Sequence, residues 1–241
     1  IYEDRFKNPA DFNFFITGDI SKEALKPLLE KYIASLPTTK KKEKWQDNSV
    51  SWLKETNKKV MFMEMEDPKA TVRISFKKPY TYSLKNTFVL KAFQDILENR
   101  LLETLREQEG GTYGASVYSV LPKRPKQIAS FYVYFDCNPD KVEKLVEIVH
   151  QEIEKIKNGD LKKEDLDKVL TSYLKDLKEE KEYTGYELNV MYDYAIEGYN
   201  RNDPKKNVDL INAVTPQDIQ NLVETIMNGA ESFEFIFKPK K

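Results

Sequence analysis

Histidine and cysteine, the usual zinc ligands, are few in this sequence. The 241 residues hold one histidine, His150, and one cysteine, Cys137, too few to assemble the usual Cys/His zinc cage. Any metal chemistry must be completed from elsewhere. His150 adjoins the apolar stripe Val142, Leu145, Val146, Val149, Ile153 and Ile156, a rim position beside a core, and Cys137 ends a predicted strand as a small buried apolar residue. Glycine says more. There are eight in all, yet Gly110, Gly111 and Gly114 fall together in the run Arg106-Glu107-Gln108-Glu109-Gly110-Gly111-Thr112-Tyr113-Gly114. Such a cluster marks an unusual backbone or a close approach. The conformational reading is a helix C-cap at Gly110, with Arg106 against the negative helix end and Tyr113 an ordinary strand aromatic. A phosphate loop is excluded, because the glycines follow a helix rather than leading a strand into one.

The elements that must position these residues are legible from pattern. Asp11–Thr17 reads as a strand, followed by a helix capped by Ser21 that carries Leu25, Leu28, Leu29, Tyr32 and Ile33 and stops by Pro37. Residues 38–57 are polar and lysine-rich, with Trp45, Val50 and Trp52 as isolated apolar points, and read as a tacked-down linker. Strands are expected at Lys59–Glu66 and Ala70–Lys77, then a long helix capped by Ser83 and running to about Gln108. Thr112–Leu121 and Gln127–Cys137 form a hairpin expected at the centre of the sheet. Asn138-Pro139 opens the next helix, which ends at Asn158-Gly159; others follow from Lys163, from Gly185 to Gly198, and after the capping box Thr215-Pro216-Gln217-Asp218. Ser232–Phe237 closes as a strand. Hairpin-connected strands with helices gathered after them predict an α+β fold, a mostly antiparallel or mixed sheet with helices packed on one face. Residues 1–37 then read as the closing strand-helix piece of a preceding domain, 38–57 as a linker, and 58–241 as the C-terminal domain, the chain being a piece of something longer.

Composition narrows the partners. Lys+Arg total 39 and Asp+Glu 40, so the surface has no excess of either sign, which argues against nucleic acid and anionic membrane. The longest apolar stretches, around Ile128–Phe135, fall far short of a membrane helix, and Ile1–Ala10 is no signal peptide. A soluble, globular segment is expected. Its compartment is not set by cysteine scarcity.

The run Leu105-Arg106, then Gly110-Gly111-Thr112-Tyr113-Gly114, resembles the arginine-and-tyrosine signature in the non-catalytic half of the insulinase/pitrilysin-type, processing-peptidase-like zinc metallopeptidases. Asp11-Phe12 through Gly18-Asp19 and the helix ending Leu36-Pro37 are similar to the closing strand and helix of a domain in that family. Asn158-Gly159-Asp160-Leu161 through Glu164, Leu166 and Lys168 is similar to its glycine turn and charged helix. The resemblance implies an α/β domain with a mostly antiparallel sheet backed by helices. It implies that Arg106 and Tyr113 bind substrate, reaching across a clam-shell chamber to the peptide, with Gly110, Gly111 and Gly114 as the turn that positions them. Guanidinium and phenol are donors suited to a substrate carbonyl or to an oxygen gaining negative charge.

The family's zinc sits on a His-x-x-Glu-His helix. This chain lacks one: His150-Gln151-Glu152-Ile153-Glu154 has Ile153 where the motif demands glutamate and Glu154 where it demands histidine. The resemblance therefore implies no catalytic residue, metal or cofactor in this chain, with zinc in a partner half, N-terminal in the family and on the same or a separate polypeptide. The expected function is the substrate-clamping C-terminal portion of a zinc metalloendopeptidase acting on short or unfolded peptides. The alternatives are a non-catalytic structural or assembly subunit of the same fold, and an unrelated binding module whose glycine turn is only a cap. Tyr183, Tyr186, Tyr192 and Tyr194, at helical spacings, could line a chamber wall, although aromatic stripes ordinarily pack.

Overall fold

The computed structural model describes residues 1–39, 41–44, 46–50, 57–66, 68–200 and 204–240; Trp45 and Trp52, and with them part of the expected linker, lie outside the described residues. In chain order the elements are α1 (Tyr2–Phe6), α2 (Lys22–Tyr32), β1 (Asn57–Met63), β2 (Ala70–Pro79), α3 (Leu84–Leu101), β3 (Thr112–Val120), β4 (Ile128–Cys137), α4 (Val142–Lys157), α5 (Lys163–Glu179), α6 (Tyr186–Tyr192), α7 (Pro204–Asn212), α8 (Pro216–Met227) and β5 (Glu231–Pro239). They fall into two compact units. One is Ile1–Ser49 with Glu179–Asp203, the other Val50–Lys178 with Pro204–Lys241.

The larger unit holds a five-stranded sheet in the order β1-β5-β2-β4-β3. β1 and β5 run parallel and the other neighbours antiparallel, so the expected α+β class with a mixed sheet is what forms. One face is apolar by alternation: Val72, Ile74 and Phe76 of β2 stand opposite Phe135, Val133 and Phe131 of β4, all buried. Onto that face pack α3 through Phe93, Ile96 and Leu97, α4 through Leu145, Val149 and Ile153, and α8 through Ile219, Leu222 and Val223. Phe131 is the hub, its ring stacked on Phe76 at 4.7 Å and meeting Phe93 edge-on at 5.0 Å. The helix starts are capped where the sequence placed caps: Ser83 accepts from the Asn86 N–H, Asn138 from Asp140, and Thr215 and Asp218 make a reciprocal box.

Polar ties fix the helices to one another. The Arg100 guanidinium donates to the Asp160 carbonyl at 2.6 Å and lies 3.7 Å from Glu152, which also takes Lys155 at 2.6 Å. This links α3 to α4 and to the Gly159 turn. From α5, the buried Tyr173 hydroxyl donates to Asp95 on α3, and burial with that carboxylate pushes the phenol far above its ordinary range.

Three expectations change. Thr112–Leu121 is not central: β2 is, because β5 returns from the C-terminal end to insert between β1 and β2, leaving β3 at the edge. That edge is closed by α3, whose Glu98 accepts from the Val117 N–H at 2.9 Å and whose Gln94 accepts from the Ser119 N–H at 2.8 Å. Residues 12–17 form no strand, for their backbone finds no strand partner among the described residues. Helix α7 is absent from the sequence reading, although proline at its first position is a start signal.

In the smaller unit, the rings of Tyr2, Phe6, Phe12 and Phe14 succeed one another at 4.8, 5.9 and 6.0 Å, and Phe15 meets Tyr192 at 6.0 Å. Asn8 binds the Lys41 carbonyl and accepts from Thr38 and Thr39, and Asp11 accepts from the Glu43 N–H. The described start of the polar segment is thus tacked down by side chains. Helix α2 buries no residue.

His150 of α4 meets Glu234 of β5 at 2.7 Å, and Lys58 of β1 approaches the other carboxylate oxygen at 3.1 Å. Burial alone would raise the Glu234 carboxyl, but the His150 and Lys58 contacts outweigh it and hold the group below the usual carboxylate range. A depressed folded value means that Glu234 contributes its full stability above the unfolded value near about 4.3 and loses it as the pH falls through the folded one. Glu234→Gln is expected to lower stability at pH 7 by roughly 1.5–3 kcal/mol, the range for hydrogen bonds to charged groups. Urea midpoints followed from pH 7 to about 3 should then fall less steeply for the variant than for the wild type.

Candidate functional site

The residues singled out by the glycine cluster sit where two regular elements give way. Beyond Leu101 the α3 helix widens into a π-helical segment, Leu102–Gln108, in which the Glu109 N–H reaches back to Thr104. Leu105 points into the core and is fully buried, while Arg106 stands exposed on the same turn. The helix is then closed in a widened Schellman fashion: Gly110 N–H bonds to the Arg106 carbonyl and Gly111 N–H to that of Leu105, each bond spanning one residue more than its counterpart in the usual Schellman motif. Gly110 takes φ +53°, a left-handed conformation natural to glycine. Lys141 donates to the Glu109 carbonyl at 2.8 Å and Lys144 pairs with its carboxylate at 2.5 Å, so cations complement the helix end.

Gly111 answers to packing rather than φ. A Cβ there would lie 2.7 Å from Leu145 Cδ1 on α4, a distance that real side chains do not tolerate. Gly114 is different, since an added Cβ would meet only Leu102 at 3.8 Å, an ordinary contact.

Strand β3 opens with a bulge. Thr112 pairs with Cys137, but pairing resumes only at Ala115 opposite Phe135, so Tyr113 and Gly114 together face Asp136. The Thr112 hydroxyl pins the irregularity, lying 2.8 Å from the Gly114 carbonyl and 2.5 Å from that of Asp136, and accepting from the Gly114 N–H. Tyr113, at the bulge, is 100% exposed. Among the described residues neither the Arg106 nor the Tyr113 side chain makes a hydrogen bond or ion pair, so both donors are free. Their positions put a guanidinium and a phenol in solvent on either side of one rigid turn.

The remaining candidates find structural employment. His150 is held by Glu234 with Phe76 edge-on at 6.1 Å, Glu154 pairs with Lys157, and Ile153 is fully buried, so the would-be zinc helix spends its side chains on packing. Among the described residues no group of three or more His, Cys, Asp or Glu could hold a metal ion. These residues do not fit a zinc site. Cys137 is buried, and its thiol is pushed up to about 11 by burial and by Asp136. Tyr186 packs inside, whereas Tyr183, Tyr192 and Tyr194 are exposed.

A feature that the sequence reading passed over lies on the sheet face without helices. Arg73, Ser75, Tyr132, Phe233, Phe235 and Phe237 line a shallow groove of about 410 Å³. The signal was present in β5, where every second residue from 233 to 237 is phenylalanine.

With this geometry in place, the family is clear. The profile of the peptidase M16 inactive domain matches residues 2–173, and the chain belongs to that family, an insulinase-like branch of zinc metallopeptidases. Among individual proteins it is similar to the probable zinc protease PqqL of Haemophilus influenzae, 26% identical over 159 residues, and to that of Escherichia coli K12, 26% over 155 residues. The alignments take in 66% and 61% of this chain but only 17% and 16% of those proteins, so the chain spans about a sixth of the curated relatives it matches. In three dimensions it resembles the ferredoxin protease FusC, solved with Arabidopsis ferredoxin, at TM-score 0.74 and 18% identity, covering 93% of this chain and 24% of that one. It resembles the periplasmic protease PqqL from Escherichia coli equally well, at TM-score 0.74 and 16% identity, covering 92% and 25%. These likenesses establish the fold. No helix among the described residues is long and apolar enough to cross a membrane.

Gly111→Val is expected to destabilise the domain by about 1–3 kcal/mol, the range for overpacking, because Leu145 is itself fully buried and cannot withdraw freely. Gly114→Ala should change the urea midpoint much less. Equal losses at the two positions would contradict the contact geometry.

Proposed function

We propose that this chain is the substrate-clamping C-terminal portion of a zinc metalloendopeptidase that acts on short or unfolded peptides, with zinc carried by a separate half on the same or another polypeptide. One observation carries the reading: Arg106 and Tyr113 are exposed donors without partners among the described residues, held on a π-helical segment and a β-bulge that a glycine cap joins. Irregular, rigidly braced backbone of this kind is where side chains are aimed at a ligand. The two groups would hold the peptide and hydrogen-bond a carbonyl oxygen as it gains negative charge, acting in concert with the zinc half. Neither hydrolyses a peptide bond by itself.

In the complete enzyme, Tyr113→Phe or Arg106→Lys is expected to lower kcat/KM by about 10²–10³, the cost of losing one such donor, with Tm nearly unchanged. A fall in Tm without a kinetic defect would favour the second reading, a non-catalytic structural or assembly subunit. That reading has its own support, since the cap at Gly110 and the Leu145 contact at Gly111 account for both glycines without a substrate.

The domain organisation belongs to the same proposal. Residues 1–37 close a preceding domain, 38–57 link, and 58–241 form the peptidase-family domain. In support, Phe12, Phe14 and Ile16 are exposed and α2 buries nothing, as expected of apolar segments whose cover lies elsewhere. Limited proteolysis is expected to cut first between Thr38 and Asn57 and to release a stable core starting near Lys58. Resistance of that stretch to cleavage would refute the boundary.

A further inference from the structure

The sheet face without helices is lined in a way that a purely solvated surface is not. Register sets the residues in rows: Lys59, Phe235, Arg73, Tyr134 and Ser116 across one, Phe233, Ser75, Tyr132 and Tyr118 across the next. Phe233 and Phe235 stack with their rings parallel at 6.0 Å. The groove between β5, β2 and β4 measures about 410 Å³, within the range of roughly 300–1,000 Å³ typical of ligand sites. At its centre the exposed Arg73 guanidinium lies 5.3 Å from the Tyr132 ring centroid. Among the described residues no carboxylate pairs with Arg73. The nearest acidic group in register, Asp136, is taken by Lys69 and Thr71, each at 2.6 Å.

An arginine held over an aromatic ring without an anion of its own, in a groove walled by phenylalanines, is complementary to a carboxylate with apolar neighbours. Strand addition is not the way in at the β3 edge, because Glu98 and Gln94 already occupy its outward N–H groups at Val117 and Ser119. The groove itself lies on the face, so a guest there is held through its side chains. We propose that this groove docks an extended peptide segment in which an acidic residue is flanked by aromatic or large aliphatic side chains, the carboxylate on Arg73 and the apolar side chains against Phe233, Phe235 and Phe237. The inference rests on the reading of this chain as a peptide-holding portion and adds the side-chain chemistry of the peptide that it holds.

The test uses the 241-residue chain and three end-blocked pentapeptides: glutamate between two phenylalanines, its glutamine analogue, and glutamate between two alanines, with binding followed by NMR titration. The first is expected to bind saturably and shift resonances of β2, β4 and β5, and each of the other two to bind about tenfold more weakly. Arg73→Gln should erase the preference for glutamate over glutamine, while Phe235→Ser should weaken both phenylalanine peptides. Arg73 is exposed, so its variant keeps the test decisive should Phe235→Ser unfold in a thermal melt. An undiminished glutamate preference in Arg73→Gln, or no saturable binding, overturns the proposal. So does a concentration-dependent dimer in sedimentation that both variants abolish, which would make a second copy the occupant. Because the measurement needs no zinc half, it is separable from the clamp: peptide binding here alongside a silent Tyr113→Phe would remove the clamp and leave the groove, and the reverse result would remove the groove alone.

Discussion

Stacking of Phe131 on Phe76, with Phe93 of α3 set edge-on against it, joins β2 and β4, two of the three inner strands of the sheet, to the long helix α3 and fixes which face of the sheet is dry. Once that face is chosen, period-2 alternation assigns every other residue of β2, β4 and β5 to the opposite one. Burial of Val72, Ile74, Val133 and Phe135 under the helices therefore obliges Arg73, Ser75, Tyr132 and Tyr134 to face the other way. The aromatic groove and the buried core are two sides of one register.

The same packing dictates what happens at the end of α3. Leu101 and Leu105 are both fully buried, and keeping both inward over the last turn accompanies the widening of the helix into a π-helical segment. The chain must then turn back at once into β3 while passing beneath Leu145, and only a residue without Cβ fits there. Arg106 is carried outward because Leu105 goes inward. Tyr113 is exposed because the bulge leaves it unpaired against Asp136. Exposure of these two side chains thus follows from core packing and from a register shift, two constraints that have nothing to do with substrate and yet leave two donors in water.

Edges and irregularities were the hard part to read. Alternation identifies β2, aromatic content β3 and β4, and capping residues mark the starts of α3, α4 and α8, because all of these signals are local. Strand order is set by non-local pairing: nothing in Glu231–Pro239 says that it inserts between β1 and β2. Residues 12–17 carry a strand's pattern but lack a strand's neighbour, and a pattern without a partner makes no ladder. Helix α7 begins at Pro204, a local start signal without a side-chain cap residue pattern as strong as that of α8.

From sequence alone came the α+β class, the caps, the buried stripe beside His150, the absence of a zinc motif in His150–Glu154, and the resemblance carried by Arg106, Tyr113 and the glycines between them, since each depends on residue type and short spacing. Tertiary structure decided that Gly110 is needed for its positive φ and Gly111 for its distance from Leu145, that Gly114 is constrained by neither, and that Arg73 stands amid phenylalanines from a strand more than 150 residues away, with no carboxylate partner among the described residues. Those are properties of atoms brought close by the fold from distant parts of the chain, and no local pattern encodes which distant atom will arrive.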